Sequence, residues 1–346
     1  GLVFIGAGIG FMFWQSQQIE KQRIEQLKQA ETLQAPAGQS TTPADAALVA
    51  TDAASSAFNS KSSVSVSDLF QQVEAVEVEA ATKPLSPEST VALYNDYIEA
   101  VFTTRGGAIQ TVSFLQTKSG ERDDYVFNKG GLLPALSLSL SSGDGEIREF
   151  DLDYRIEQQS SDSVTFVLDS GEGLSIRREY RIASTGSEDE PYTIEHSTVF
   201  KNKSTSAMAL STIYFNLGTA RPITEEMIGV NFLNVGYFDG QDAEFIPIKK
   251  LTGGKGFLGI GASDPKDVIA ESARIEWSSV KNQFFASVLS SGTVAGNVFV
   301  YPVEAPSDVV NQPGRLGISG SVGYELGTLA TGESKSLDFQ YFVGPK

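Results

Sequence analysis

From residue 91 onward the chain repeats one texture. Short runs rich in β-branched and aromatic residues recur roughly every 8–12 residues, parted by Gly, Asn, Asp or Ser. The clearest are YIEAVFTT, AIQTVSFL, LSLSLSS, SVTFVLD, LSIRREYRI, YTIEHSTVF, LSTIYFNL, GNVFVYPV and SLDFQYFV. A period of two sends alternate side chains to opposite faces of a strand. In LSIRREYRI it sets Leu174, Ile176, Tyr180 and Ile182 on one face and Arg177, Glu179 and Arg181 on the other. One face suits a core and the other water, the pattern of antiparallel sheets. No long amphipathic helices alternate with these runs, which argues against a βαβ fold. Residues 91–346 therefore predict an all-β domain of about 15–18 strands, more than an ordinary sandwich holds. The expected fold is a large antiparallel β-supersandwich. A domain of this size buries roughly 70–75% of its unfolded surface, so it has ample core without disulfides, and the chain has no cysteine.

The opening stretch, GLVFIGAGIGFMFWQ, admits two readings. Gly6 and Gly8 begin a G-x-G-x-x-G dinucleotide fingerprint, but Phe11 stands where the third small residue is needed. No second strand follows, so no flavin or nicotinamide cofactor is expected. A second formal match, Gly254-Lys255-Gly256-Phe257-Leu258-Gly259, lies among strands with no helix after it and reads as a glycine-rich loop.

The membrane reading accounts for more. Residues 1–14 carry no charge, Gly6 and Gly10 form a small-xxx-small pair, and Trp14 sits where an interfacial aromatic belongs. Fourteen residues span only about 21 Å of a roughly 30 Å hydrocarbon core. The chain begins with Gly rather than Met, so residues 1–14 read as the end of a truncated transmembrane helix that contacts the lipid bilayer. Charged residues continue in helical register past Trp14, which favours an uncleaved anchor over a signal peptide.

Residues 15–34 read as a charge-balanced polar helix, with Lys21 and Glu25 at i,i+4. Residues 35–90 are rich in Ala, Ser, Thr and Pro and cannot bury enough surface to offset their ordering entropy, so a disordered linker is expected. Within it, Leu69, Val73 and Val76 follow Ser67 at helical spacing.

Charge and histidine content narrow the function. The formal net charge is −17, of which residues 35–90 supply −5 through seven acids and two bases. Such a surface repels phosphate backbones, so nucleic acid is not an expected partner. By the same reasoning, anionic lipid headgroups should not attract the body of the protein. The single histidine, His196, falls on the face of Tyr192, Ile194 and Phe200 and reads as a packed core residue. No catalytic, cofactor-binding or metal-binding residue is assigned. An alternative reading, a carbohydrate-binding or sugar-epimerase-like domain in the envelope, would rest on acids such as Glu195, Glu225 and Glu226.

Three local signatures close the sequence reading. Thr104-Arg105-Gly106-Gly107-Ala108-Ile109 follows an opening strand and reads first as a turn. In Trp277-Ser278-Ser279-Val280-Lys281-Asn282-Gln283-Phe284-Phe285, the aromatics read as core and Lys281 and Asn282 as outward-facing. Tyr341-Phe342-Val343-Gly344-Pro345-Lys346 ends the last strand. In this order, behind an apolar segment and a low-complexity linker, they resemble the large periplasmic domain of bacterial YidC-type membrane protein insertases. The resemblance implies a galactose-mutarotase-like supersandwich and a non-enzymatic role in inserting and folding inner-membrane proteins. It also implies a cytoplasmic N-terminus, a periplasmic β domain, and the Sec translocon with its SecDF accessory as partners. Nascent inner-membrane proteins would be handled by a membrane core that follows in such proteins. Mutarotase catalysis uses two histidines and a glutamate, which one histidine cannot supply.

Overall fold

The computed structural model describes residues 86–115, 125–141, 147–149, 153–170, 173–186, 190–210, 212–223, 227–254, 263–304 and 316–346. The expected membrane helix, polar helix, Leu69–Val76 helix and nearly all of the linker lie outside these residues, as do Lys255–Gly259, Glu225 and Glu226. Among the described residues no helix is long and apolar enough to cross a membrane.

Strand pairing is antiparallel throughout the named ladders. A four-stranded sheet is built from β1 (Thr90–Tyr94), β2 (Ile98–Thr103), β3 (Ala108–Phe114) and β4 (Val126–Phe127), in that order. The large sheet has 13 strands. They are β5 (Leu138–Ser141), β6 (Ile147–Glu149), β7 (Arg155–Gln159), β8 (Ser163–Asp169), β9 (Leu174–Ile182), β10 (Thr193–Asn202), β12 (Thr212–Ala220), β13 (Asn234–Phe238), β14 (Ala243–Pro247), β15 (Ile269–Lys281), β16 (Phe285–Glu304), β17 (Leu316–Glu325) and β19 (Ser334–Pro345). Its main path runs β6-β5-β12-β17-β16-β19-β10-β9-β8-β7, and β13 and β14 branch from it through β15. A two-stranded ribbon pairs β11 (Met208–Ala209) with β18 (Thr328–Leu329). Two single-turn helices, α1 (Met227–Val230) and α2 (Lys249–Thr252), flank β13 and β14. The chain is thus the antiparallel all-β supersandwich expected from its period-two runs.

The large sheet curls until its two halves face each other. Phe215 on β12 meets Phe339 on β19 with ring centroids 4.6 Å apart, and Tyr324 on β17 meets the same ring at 5.2 Å. The four-stranded sheet covers the β9 side, where Phe102 lies 4.9 Å from Tyr180, while Phe114 stacks on Phe285 at 4.5 Å. Aromatic pairs of this kind add to the burial term that holds the layers together. Across the fold the Tyr341 hydroxyl donates to the Leu217 carbonyl at 2.8 Å, both residues being wholly buried. Tyr341→Phe should leave that carbonyl with the Ser287 hydroxyl, at 3.1 Å, as its remaining side-chain donor and lower the unfolding free energy by about 0.5–1.5 kcal/mol, read from the midpoint of a urea titration at unchanged slope.

Residues 86–89 precede β1 and are tied to the β2–β3 turn. Thr104 donates its N–H to the Ser89 carbonyl at 2.9 Å, and the Thr103 hydroxyl donates to the Glu88 carboxylate at 2.6 Å.

Candidate functional site

Strands β9 and β10 carry the chemically loaded residues, one set on each face. Inward, β9 presents Leu174, Ile176, Arg178, Tyr180 and Ile182, all buried. Arg178 is in phase with the apolar residues and has no exposed surface. Its guanidinium donates to the carbonyl of Gly106 (2.7 Å) and of Leu136 (2.5 Å), and to the Thr198 hydroxyl (3.4 Å). It also meets His196 Nε2 at 3.1 Å and lies 5.6 Å from the centre of the Tyr180 ring. Among the described residues no carboxylate forms an ion pair with it.

The backbone is bent to serve this charge. Gly106 (φ 74) and Gly107 (φ 53) make the β2–β3 turn in the left-handed region, and Leu136 (φ 66) enters it despite its side chain. Such a conformation costs a non-glycine residue about 1–3 kcal/mol and persists where its surroundings demand it. Here the demand is visible: the carbonyls of Gly106 and Leu136 receive Arg178, and that of Gly107 receives the Tyr180 hydroxyl at 2.8 Å. Burial pushes the Tyr180 phenol up to about 12, so it stays a neutral donor.

His196 completes the layer. Its Nδ1 lies 2.9 Å from the Glu179 carbonyl, which can only accept, so the proton sits on Nδ1. That leaves Nε2 as the acceptor for the Thr198 hydroxyl (2.7 Å) and for Arg178. Burial first, and then the Arg178 charge, hold the imidazole well below its usual range, so it is neutral at pH 7. The ring is stacked on Tyr180 with centroids 4.1 Å apart and is 3% exposed.

On the outer face of the same strands an open cleft of about 620 Å³ runs across β9, β10, β19 and β16. Pairing register places Arg181, Glu195 and Gln340 in one row and Glu179, Ser197 and Asp338 in the next. Arg177 and Arg181 both donate to Glu179, at 2.8 and 3.3 Å, and these bonds hold its carboxyl below the usual carboxylate range. Glu179 is therefore ionised at neutral pH and cannot serve as a general acid. His196 and Phe339 underlie the cleft, but their side chains belong to the core on the other face. The cleft is a polar surface, and the imidazole lies beneath it, 3% exposed.

The three sequence signatures meet different fates. Arg105 faces Asp153 at 3.8 Å across an isolated bridge, and the Arg-Gly-Gly turn faces the core through its carbonyls. Phe285 is packed on Phe114 and Tyr125, as expected of a core aromatic. Two assignments in that stretch reverse. Phe284 is 52% exposed, and Asn282 is buried because it caps its own hairpin: its side-chain oxygen receives the N–H of Phe284 (2.9 Å) and Phe285 (2.8 Å). Trp277 is half-buried against Phe238. Glu195 lines the outer cleft, while Glu225 and Glu226 lie outside the described residues.

A sequence profile described as the YidC periplasmic domain matches residues 90–346, about three-quarters of the chain. The chain belongs to this family. A YidC periplasmic domain is part of a membrane insertase and of a membrane-anchored protein with a periplasmic segment. No curated protein matches the chain by sequence. Similar solved structures include a putative aldose 1-epimerase from Escherichia coli K12, at 11% identity, covering 75% of this chain and 100% of that one with a TM-score of 0.46. A galactose mutarotase related enzyme from Lactobacillus acidophilus has 12% identity, 74% and 97% coverage and a TM-score of 0.47. Likeness at this level says nothing about the chemistry of this YidC periplasmic domain.

Proposed function

We propose that the β domain is a non-catalytic periplasmic docking body of an insertase that assists the insertion and folding of inner-membrane proteins, working with the Sec translocon and its SecDF accessory. In this reading residues 1–14 anchor the chain in the inner membrane, and residues 15–90 space the β domain, which begins near residue 91, from the bilayer. The family match over residues 90–346 carries the proposal. The buried, neutral state of His196 and the ionised state of Glu179 support the non-catalytic part. Docking would use strands with one open side, β1 and β7, which end their sheets.

The test is photocrosslinking from the full chain in inner-membrane preparations, with the crosslinker at exposed positions of β1 and β7. Crosslinks to SecD or SecF are the expected result. Their absence, together with millimolar or tighter binding of a hexose or periplasmic glycan by calorimetry, would replace this reading with the carbohydrate one.

A further inference from the structure

At the β15–β16 hairpin, exposed rings and lysines come together. Phe284, at the tip, is 52% exposed. Lys346 is fastened beside it: its N–H donates to the Phe284 carbonyl and its ammonium to the Asn282 carbonyl, both at 2.8 Å. Lys281 lays its ammonium 3.7 Å from the centre of the Phe245 ring, which is 42% exposed. Gly236 sits between their strands, and a Cβ there would meet that ring at 2.6 Å, so only glycine leaves it room.

Register extends the cluster. Asn234 pairs with both Lys281 and Pro247; Phe232, also 42% exposed, comes just before Asn234, and the exposed Lys249 and Lys250 come just after Pro247. Burial, and then the charge of Lys346, draw the Lys281 ammonium below its usual range, so the two cations are close. Among the described residues none of these four lysines forms an ion pair, in a chain whose net charge is −17.

We propose that this end of the domain rests on the anionic headgroups of a lipid bilayer, with Phe232, Phe245 and Phe284 at headgroup depth and the lysines against the phosphates. The inference rests on the insertase reading for a bilayer within reach. The three rings stand on a connecting loop, an edge strand and a hairpin tip, positions from which side chains enter a soft surface. Aromatic rings with lysine stems lying along apolar surface form the belt seen at membrane interfaces. Net charge does not forbid the contact. The Debye length is about 8 Å at physiological salt, so acids on the far side are screened and the local cluster decides the interaction.

The absence of cysteine makes the test clean. Phe284→Cys in the full chain, labelled with a polarity-sensitive fluorophore, is mixed with vesicles containing phosphatidylglycerol or made of phosphatidylcholine alone. Val294→Cys, at a 38% exposed position within β16, is the control. A blue shift at position 284 and not at 294 is expected with phosphatidylglycerol, and it should fall at least several-fold in Lys249→Gln/Lys250→Gln/Lys281→Gln or in high salt. Three results would each overturn the proposal: a label that stays in water, an equal shift with phosphatidylcholine, or a shift without vesicles that grows with protein concentration and so reports a second copy. None of these outcomes bears on crosslinking to SecD or SecF, so the two readings fail separately.

Discussion

Arg178→Met is expected to lower the unfolding free energy by on the order of 4 kcal/mol, and the melting temperature by roughly 8–16 °C. Methionine nearly fills the space, so little of the loss comes from a cavity. The carbonyls of Gly106 and Leu136 would remain in the core without the guanidinium, while the Thr198 hydroxyl would still occupy the His196 Nε2 lone pair. A buried polar group left unpaired costs about 1–3 kcal/mol, and a hydrogen bond to a charged group is worth about 1.5–3. Replacing a buried ion pair by apolar residues is often harmless, because both partners leave together. Here the acceptors are backbone and cannot leave. Arg178→Lys should recover only part of the loss, since one ammonium cannot span carbonyls that come from the β2–β3 turn and from the segment before β5. Unchanged stability of Arg178→Met in calorimetry would show that the guanidinium clamps nothing.

Arg178 also marks where sequence reading stopped short. All nine quoted runs are strands, because each alternates large apolar residues and declares a buried face. The phase that places Leu174, Ile176, Tyr180 and Ile182 inside also places Arg178 inside, yet an arginine is read by its charge and assigned to water. What it needed was carbonyls from residues 42 and 72 positions away, which no local pattern displays. The strands that went unread fail differently. In β17, LGISGSVGYE, glycine and serine weaken the pattern, although nearly every residue is buried between neighbours on both sides. In β15, IAESARIEWSSVK, charges on a half-exposed strand hide the alternation until Ile275.

The same averaging hid the lysine cluster. A net charge of −17 argues against anionic headgroups only if charge is uniform, and the hairpin ending at Phe284 breaks that assumption. Asn282 shows why the sequence misled there. A polar residue beside an aromatic reads as exposed, but the turn needed an acceptor for two N–H groups, and satisfying them turned Asn282 in and Phe284 out. Hydrogen-bond demand at a hairpin can outweigh the hydrophobicity of a single side chain.

As pH falls from 6.5 to 5 the folded domain should lose stability through His196 alone, by about 1.6 kcal/mol where the native imidazole stays neutral across the window. In the unfolded chain the imidazole protonates near its ordinary value of about 6.5. In the fold, burial and Arg178 hold it well below that, so over this window the unfolded state binds a proton that the native state refuses. Stability must then fall as pH falls, with a limiting slope of about 1.4 kcal/mol per pH unit, until the folded imidazole itself titrates. The sign is the reverse of that for a histidine paired with a carboxylate. Because the chain has one histidine, no second imidazole confuses the assignment, and carboxylates enter mainly below about pH 5. Urea titrations at several pH values should show the slope in the parent and its disappearance in His196→Phe, even if that variant is less stable throughout. A flat parent profile would place His196 in a solvated, titrating environment. The imidazole would then regain the freedom to move protons that its present partners deny it.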